Sequence, residues 1–242
     1  KALISGHTDL KLSEVLDKLR LVAETPFEKA IPIPAAVNHS KEFFNHELKS
    51  IFMKEWICIG RSDEILEAGD FLTQEIAGIS VLVVRQNDGS IRAFINACAH
   101  RFARLLQVKQ GNTKRFTCPY HAWTYNIKGD LVRAPYMEMK NGFDKIKNGL
   151  RRLYLELWEG FVYVNLSEKQ PKNITTCLNS LHENVVGKYN MSSYKTVMRK
   201  EMVWDANWKN LIENFTESYH VPIAHKKTFA LHEKPLEDYY CG

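Results

Sequence analysis

The chain contains two short segments in which a cysteine is followed closely by a histidine. The first has the pattern C-x-H at Cys98 and His100, and the second has C-x2-H at Cys118 and His121. Two thiolates and two imidazoles on mirrored loops suit a [2Fe–2S] cluster, with the cysteines on one iron and the histidines on the other. This mixed ligation raises the reduction potential above that of an all-cysteine cluster. We therefore expect these four side chains to hold a one-electron redox centre.

A structural zinc site and a chance pattern are the alternatives to a cluster at these four residues. Structural zinc sites also use cysteine and histidine, but they usually pair cysteine with cysteine and histidine with histidine, whereas each segment here mixes the two. A cysteine can also be only a small buried hydrophobic residue, so that the pattern would be accidental. The flanking residues argue against an accident, and they are Asn96, Arg101, Pro119, Tyr120, Trp123 and Tyr125.

A second group of candidate ligands lies about a hundred residues further along the chain. Apolar residues at helical spacing predict one face of a helix, formed by Trp208, Leu211, Ile212, Phe215 and Tyr219. Glu213, Glu217 and His220 form a narrow stripe on the opposite face. Taken alone, such a stripe is more often just the solvated side of a helix.

A proline and a second histidine follow this stripe. Pro222 cannot donate to the helical hydrogen-bond ladder, so we expect the helix to end near Val221 and the chain to turn His225 back toward His220. Two imidazoles would then converge on one metal ion, with Glu217 one turn before the first of them. Because the chain also carries a candidate electron donor, an acceptor site of this type is expected.

Both groups of candidate ligands resemble sequence motifs of a known family. N-x-C-x-H-R and C-P-Y-H-x-W-x-Y are similar to the Rieske motifs, and N-W-K-x-x-x-E-N-F-x-E-x-Y-H-x4-H resembles the mononuclear-iron motif of the large (alpha) subunit of Rieske non-heme iron oxygenases. The resemblance covers the chain from about Trp56 to His225. It implies a catalytic Fe(II) at His220 and His225, with Glu217 as the carboxylate that bridges the two metal centres between subunits.

Three features depart from the commonest family pattern. Phe102 and Ala122 stand where glycine is usual, and a bulky residue tolerates a positive φ poorly. The family's third iron ligand is usually an aspartate far downstream, so we expect this chain to be an N-terminal fragment. The bridging position holds Glu217 rather than aspartate, which looks more like the branch acting on quaternary ammonium compounds. The nearby carboxylates that we do not expect to bind iron are Glu233, Glu237 and Asp238.

The resemblance implies an oxygenase component. A flavin or iron–sulfur reductase would pass electrons from NAD(P)H through the cluster to the Fe(II), which would activate O₂ to oxygenate a small organic substrate. Monooxygenation of a quaternary ammonium compound is favoured, and an aromatic-ring-hydroxylating dioxygenase is the alternative. A protein of another class, an electron-transfer or metal-binding module without catalysis, also fits. The family further implies a homotrimer.

The order of helix-like and strand-like segments along the chain predicts an α+β fold in three parts. Residues 1–54 look helical, residues 55–170 are rich in short β runs and form an antiparallel-β Rieske [2Fe–2S] domain, and residues 171–242 begin an α+β catalytic domain. Within the β-rich part, Asn87-Asp88-Gly89 predicts a hairpin turn. We also expect a strand at Thr196 to Trp204.

Composition excludes several classes of protein. The net charge is +5 and the cations look dispersed along the chain, so no nucleic-acid partner is expected. No apolar run is long enough for a membrane span, and no signal peptide is visible. The five cysteines are scattered, which favours a reducing cytoplasm over a disulfide framework.

Overall fold

The computed structural model describes residues 10–137, 139–217 and 220–228 of the 242-residue chain. It divides into two compact units, one formed by Glu47–Arg199 and the other by Lys1–His46 together with Lys200–Gly242. No helix among the described residues is long and apolar enough to cross a membrane.

The unit Glu47–Arg199 is built on two antiparallel sheets. Its strands are β1 (Ile57–Arg61), β2 (Asp70–Ile76), β3 (Ile79–Arg85), β4 (Ile91–Ile95), β5 (Gln110–Asn112), β6 (Arg115–Thr117), β7 (Thr124–Asn126), β8 (Leu131–Arg133), β9 (Arg152–Trp158) and β10 (Phe161–Asn165). Seven of them form one sheet in the order β1-β10-β9-β4-β3-β2-β5, and the other three form a small sheet in the order β6-β7-β8. This arrangement confirms the expected antiparallel-β domain.

The β3–β4 hairpin follows the turn signal in the sequence. The two strands pair antiparallel, with Val81 opposite Ile95 and Arg85 opposite Ile91. In the turn, the Asp88 carboxylate accepts a hydrogen bond from the backbone amide of Ser90 at 2.9 Å. An aspartate that binds backbone two residues later stabilises a tight turn, so the predicted hairpin is confirmed.

Strand β3 is buried on both faces, and one of these faces packs against the small sheet. Because side chains alternate along a strand, Val81 and Val83 belong to one hydrophobic cluster, whereas Leu82 and Val84 belong to another. The second cluster contains side chains of both sheets and the two motif cysteines, Cys98 and Cys118. Each fully buried Val or Leu stabilises the fold by about 1.5–3 kcal/mol, so the cysteine loops lie against a well-packed support.

The remaining regular elements are helices. The α-helices are α1 (Leu12–Glu24), α2 (Ala36–His39), α3 (Lys41–Glu47), α4 (Ile174–Leu178), α5 (Ser180–Val185), α6 (Trp208–Thr216) and α7 (Val221–Ala224). A π-helix follows α3 at Leu48–Phe52, and single 3₁₀ turns occur at Phe27–Lys29, Ser62–Glu64, Ile146–Asn148 and Met191–Ser193. The helices near the start of the chain pack through a small cluster of Val15, Ala36, Val37 and Phe43. Within the described residues, α1, α2 and α3 thus lie in the segment that the sequence predicts to be helical.

The strand expected at Thr196 to Trp204 is not formed. Over this run the structure contains no strand among the described residues, and Val197 and Val203 are almost fully exposed. A β-branched run forms a strand only where a neighbouring strand completes its hydrogen bonds, and in the described part of the chain none pairs with it. The prediction from composition alone was wrong here.

Candidate redox and metal site

The two cysteine loops have the same backbone geometry. Each cysteine amide donates to the carbonyl five residues later, and each cysteine carbonyl accepts from the amide four residues later. These bonds join Cys98 to Ala103 (2.9 Å), Phe102 to Cys98 (2.9 Å), Cys118 to Trp123 (2.8 Å) and Ala122 to Cys118 (3.0 Å). The loops are thus structural repeats, although their sequences share little beyond the cysteine and the histidine.

Each loop needs one residue with a left-handed backbone. Phe102 and Ala122 both have φ of 57°, a conformation that costs an L-residue roughly 1–2 kcal/mol. The Phe102 side chain is 80% exposed, so its ring does not compensate for this cost by burial. The departures from glycine therefore keep the loop shape at an energetic cost.

Asn96 anchors the first loop. Its side-chain amide donates to the carbonyl of Leu106 at 2.7 Å and to the hydroxyl of Ser80 at 3.0 Å, and its oxygen accepts from the amide of Leu106 at 3.0 Å. Asn96 is buried, so these bonds satisfy its polar atoms without water. The sequence identified Asn96 only as a flanking residue, and the structure shows what it holds in place.

The four candidate cluster ligands lie together, with the thiols inside and the imidazoles outside. Cys98 and Cys118 are 1% and 3% exposed. The rings of His100 and His121 have centroids 4.7 Å apart, and both residues are exposed. The His100 ring also stacks on Trp123, with centroids 4.8 Å apart and an interplanar angle of 9°. The site is therefore asymmetric, with one buried edge and one edge open to a partner.

Tyr125 lies at the buried edge of the site, next to Cys98. Its hydroxyl lies 3.2 Å from Cys98 Sγ and accepts a hydrogen bond from the amide of Ala99 at 3.0 Å. A hydroxyl that accepts from an amide still has its own proton to donate, and here the sulfur is in reach. Burial, reinforced by the contact with Cys98, raises the pKa of Tyr125, so the hydroxyl keeps that proton.

The electrostatics of the site favour metal binding by the imidazole of His100. Desolvation, together with the charges of His121 and Arg101, lowers the pKa of His100. The neutral imidazole is the form that binds metals, so this shift favours ligation near neutral pH. Burial raises the pKa of the Cys98 thiol, which also interacts with Cys118. Two adjacent buried thiols and two adjacent imidazoles fit the donor set of a mixed-ligand [2Fe–2S] cluster.

The second candidate site is built differently from the sequence-based expectation. Helix α6 ends at Thr216 rather than near Val221, and Glu217 is its C-terminal cap. Pro222 lies in the first turn of the short helix α7 instead of ending a longer one. This position suits proline because the first turn of a helix leaves its amide groups unpaired in any case. The prediction of one helix ended by Pro222 was wrong.

The break between the two helices brings three predicted residues together. The rings of His220 and His225, which flank α7, have centroids 5.3 Å apart at 69°. The Glu217 carboxylate contacts Nδ1 of His220 through one oxygen and accepts from the His220 amide at 3.2 Å through the other. A carboxylate on Nδ1 orients the ring so that Nε2 is the nitrogen left for a metal.

A complete single-metal site is not assembled within the described ranges. There, no three side chains of His, Cys, Asp or Glu lie close enough around one point to hold one ion. The predicted apolar-face residue Tyr219, and Glu233, Glu237 and Asp238, lie outside the described residues.

Comparison with known families identifies both parts of the chain. Residues 55–148 match the Rieske [2Fe–2S] domain, and residues 191–239 match the catalytic domain of the ring-hydroxylating alpha subunit. The chain thus contains a Rieske domain followed by catalytic-domain sequence of Rieske oxygenase alpha subunits, which confirms the resemblance and the expected fold. These two domains imply a [2Fe–2S] cluster and a mononuclear iron as cofactors.

Individual relatives show which Rieske oxygenases the chain is similar to. The chain is 35% identical over 199 residues to the carnitine monooxygenase oxygenase subunit of Escherichia coli (strain K12), covering 82% of this chain and 53% of that protein. It is 35% identical over 193 residues to the glycine betaine monooxygenase oxygenase subunit of Chromohalobacter salexigens, covering 80% of this chain and 43% of the relative. The chain spans about half the length of the curated relatives that it matches.

Solved structures of similar oxygenases also match the fold of this chain. A quaternary ammonium Rieske monooxygenase in complex with L-carnitine is 32% identical and matches with a TM-score of 0.72, covering 80% of this chain and 55% of the other. Naphthalene 1,2-dioxygenase from Rhodococcus sp. is 27% identical and matches with a TM-score of 0.77, covering 92% of this chain and 51% of the other.

Proposed function

We propose that the protein to which this sequence belongs is a Rieske oxygenase that oxygenates a small organic molecule, with a quaternary ammonium compound as the favoured substrate. The cluster ligands would be Cys98, His100, Cys118 and His121, and the mononuclear Fe(II) would be held by His220 and His225 with a further ligand. One observation carries the proposal: the paired cysteine–histidine loops and the Glu217, His220 and His225 group occur in one chain.

Each side chain has a defined task in this scheme. When bound, the cluster stores and passes on one electron, and the Fe(II) activates O₂. The exposed rings of His100 and His121 form the edge through which a partner approaches, while the buried thiols stay away from water. Glu217 orients His220 within the chain. We assign it the second task of accepting a hydrogen bond from His121 of a neighbouring subunit in a homotrimer.

The substrate class rests on the relatives. Two of them are named for carnitine and glycine betaine, and one matching structure contains L-carnitine. An aromatic-ring dioxygenase remains the second candidate, because a naphthalene dioxygenase matches over a larger share of the chain. We further propose an NAD(P)H-dependent flavin or iron–sulfur reductase as the electron source, and residues 171–242 as the beginning of the catalytic domain. The described cysteines are free, which supports a cytoplasmic location.

Metal content and turnover of the whole protein test this proposal. Anaerobic, iron-replete preparations are expected to contain three irons and two sulfides per subunit. With a reductase, NADH and O₂, they should consume L-carnitine or glycine betaine and leave naphthalene unchanged. The variant His220→Ala should retain the two cluster irons, lose the third iron and lose turnover. A colourless protein containing zinc would contradict the proposal, and turnover of naphthalene alone would favour the second candidate.

Tyr125→Phe should lower the reduction potential of the cluster. The hydroxyl hydrogen bond to Cys98 stabilises the more negative reduced state, so its loss makes reduction harder. A net hydrogen bond of about 0.5–1.5 kcal/mol corresponds to roughly 20–60 mV for one electron. A redox titration followed by electron paramagnetic resonance measures the shift.

Tyr163→Phe is the matched control, since Tyr163 lies on β10 in the seven-stranded sheet and is partly buried. Its variant should keep the wild-type potential within about 10 mV, because it removes no hydrogen bond to the sulfur. An unchanged or raised potential in Tyr125→Phe would show that the hydroxyl does not donate to the cluster.

A further inference from the structure

Residues 191–199, which we call the strap, belong to the unit Glu47–Arg199 but bury almost none of their side chains. Met191 is partly buried, and the other eight residues of the strap are exposed. Apart from the 3₁₀ turn at Met191–Ser193, the strap contains no regular structure. Because so little apolar surface is buried, polar contacts are what hold the strap in place.

Arg61, at the end of β1, holds the first half of the strap. Its Nη2 donates to the carbonyl of Met191 at 2.8 Å and to the carbonyl of Tyr194 at 3.1 Å. Its Nη1 donates to the carbonyl of Glu159 at 3.3 Å, and the guanidinium lies 4.6 Å from the centroid of the Phe161 ring. A guanidinium stays charged and offers five donors in a fixed plane, so one side chain binds several carbonyls at once.

The turn between β9 and β10 leaves room for this guanidinium. Gly160 lies in this turn with φ of 82°, and a Cβ added there would lie 2.6 Å from Nη2 of Arg61. A side chain at this position would therefore displace the guanidinium from the strap. The same turn also binds the strap directly, since the Glu159 carboxylate accepts a hydrogen bond from the amide of Ser192 at 3.2 Å.

Two carboxylates in the turn after β1 hold the second half of the strap. Asp63 accepts from the amide of Thr196 at 2.6 Å and from its hydroxyl at 3.2 Å, and it also accepts from Nε of Arg61 at 3.1 Å. Glu64 accepts from Nη1 of Arg199 at 3.0 Å. The side chains of Asp63 and Glu64 are each 11% exposed, so these charged contacts are partly shielded from water and salt.

The strap lies where the two matched domains meet in the sequence. The match to the catalytic domain begins at residue 191, whereas the compact unit that contains the Rieske match ends at Arg199. The first nine residues of the catalytic-domain match are thus packed within the unit that carries the Rieske domain. A segment with many polar anchors and few apolar contacts can open locally while the rest of its unit stays folded.

We infer that Arg61, Asp63 and Glu64 are positioning residues: by holding the strap, they fix the start of the catalytic-domain sequence on the Rieske domain. This inference rests on the proposed function. The described contacts of these three side chains include no candidate metal ligand, so they act through the strap. A released strap would let the sequence that follows it, including His220 and His225, take up more positions. Misplacement of reacting groups by about 1 Å can slow a reaction by about 100-fold, so release should slow electron transfer.

Limited trypsin digestion of the whole, cluster-loaded protein tests whether the anchors hold the strap. Trypsin cuts after Lys195 and Arg199, and the cleavage rate follows the population of the opened strap when opening and closing are fast. Asp63→Ala removes the acceptor of Thr196 and a partly buried partner of Arg61, so it should speed cleavage within the strap by about tenfold or more. Thr196→Val removes only a hydroxyl donor on the exposed strap and should speed cleavage about two- to tenfold.

Electron transfer in a single turnover is the functional readout. Protein with a reduced cluster and Fe(II) is mixed with O₂ and L-carnitine or glycine betaine, without a reductase, and stopped-flow absorbance follows oxidation of the cluster. Oxygenation that reduces the second oxygen atom to water takes two electrons, and the cluster and the Fe(II) each supply one. Asp63→Ala should slow this oxidation by about tenfold or more, and Thr196→Val by about twofold or more. Iron content and a cluster potential within about 10 mV of wild type should be retained in both variants.

Asp17→Ala is the matched control. The pair of Asp17 and Arg20 has the same N···O distance of 3.1 Å as the pair of Asp63 and Arg61, but it lies on α1 and is exposed. Because exposed ion pairs contribute little, this variant should keep both rates within about twofold of wild type. The same change in both rates as in Asp63→Ala would show that the loss of charge, and not the strap, is responsible.

The two measurements separate this inference from the proposed function. Wild-type cleavage in Asp63→Ala would overturn the anchoring, and faster cleavage with a wild-type rate of cluster oxidation would overturn the positioning role; either result leaves the proposed function intact. If Asp63→Ala loads no cluster, Thr196→Val decides, and wild-type rates in that variant would overturn the inference. A wild-type protein that loads no cluster, or whose cluster oxidation does not depend on the substrate, would contradict the proposed function itself.

Discussion

Replacing Cys118 with serine is expected to abolish the [2Fe–2S] cluster. Cys118 is 3% exposed and lies in a loop whose backbone hydrogen bonds repeat those around Cys98, so the backbone holds its side chain in a fixed position. A serine hydroxyl is a far weaker ligand for iron than a thiolate, because cluster iron prefers soft sulfur ligands. The variant, prepared with excess iron and sulfide, should be colourless and show no Rieske signal in electron paramagnetic resonance after dithionite reduction.

Two further variants separate ligand loss from misfolding. Cys177→Ser makes the same chemical change at an exposed cysteine on α4 and should keep the full signal. His121→Ala removes an exposed side chain, so the hydrophobic core stays intact while the cluster is lost. Circular dichroism checks the fold of each protein. A Rieske signal that survives in Cys118→Ser, or that disappears in Cys177→Ser, would refute the ligand assignment.

The parts of the fold that could be predicted are those with a local cause. The hairpin between β3 and β4 follows from three turn residues that separate two apolar runs. The ligand loops could be located because cysteine and histidine at short spacing have few other uses. In each case the necessary information lies within a short stretch of neighbouring residues.

The features that escaped prediction depend on distant partners. Tyr125 contacts Cys98 from 27 positions away, so its spacing in the sequence does not reveal the contact. The left-handed backbone at Phe102 and Ala122 was suggested only by the family's usual glycines, because neither residue type favours it and the loop hydrogen bonds hold it in place. The run Thr196 to Trp204 has strand-forming residues, but a strand needs a neighbour that the described residues do not offer.

Glu217→Gln is expected to weaken Fe(II) binding at the His220 and His225 pair by about 10- to 100-fold in the whole protein, the usual effect of losing a carboxylate that supports a ligating histidine. The carboxylate contacts Nδ1 of His220 and accepts from its backbone amide. The neutral amide of glutamine keeps the shape but removes the negative charge, so the ring of His220 is held less firmly in the orientation that binds the metal. Titration of the apoprotein with Fe(II) under anaerobic conditions measures the affinity.

Glu213→Gln supplies the matched comparison for this last effect. Glu213 is an exposed residue one turn earlier on α6, so its variant makes the same change of charge four residues from Glu217. If the contact with His220 is responsible, Glu213→Gln should bind Fe(II) within about twofold of wild type, because a general electrostatic effect at an exposed position is screened by salt. Equal losses in both variants would mean that the overall negative charge of the segment, and not the orientation of His220, controls the site. Wild-type affinity in Glu217→Gln would show that the carboxylate has no part in holding the metal, and its proposed task would then be confined to the contact between subunits.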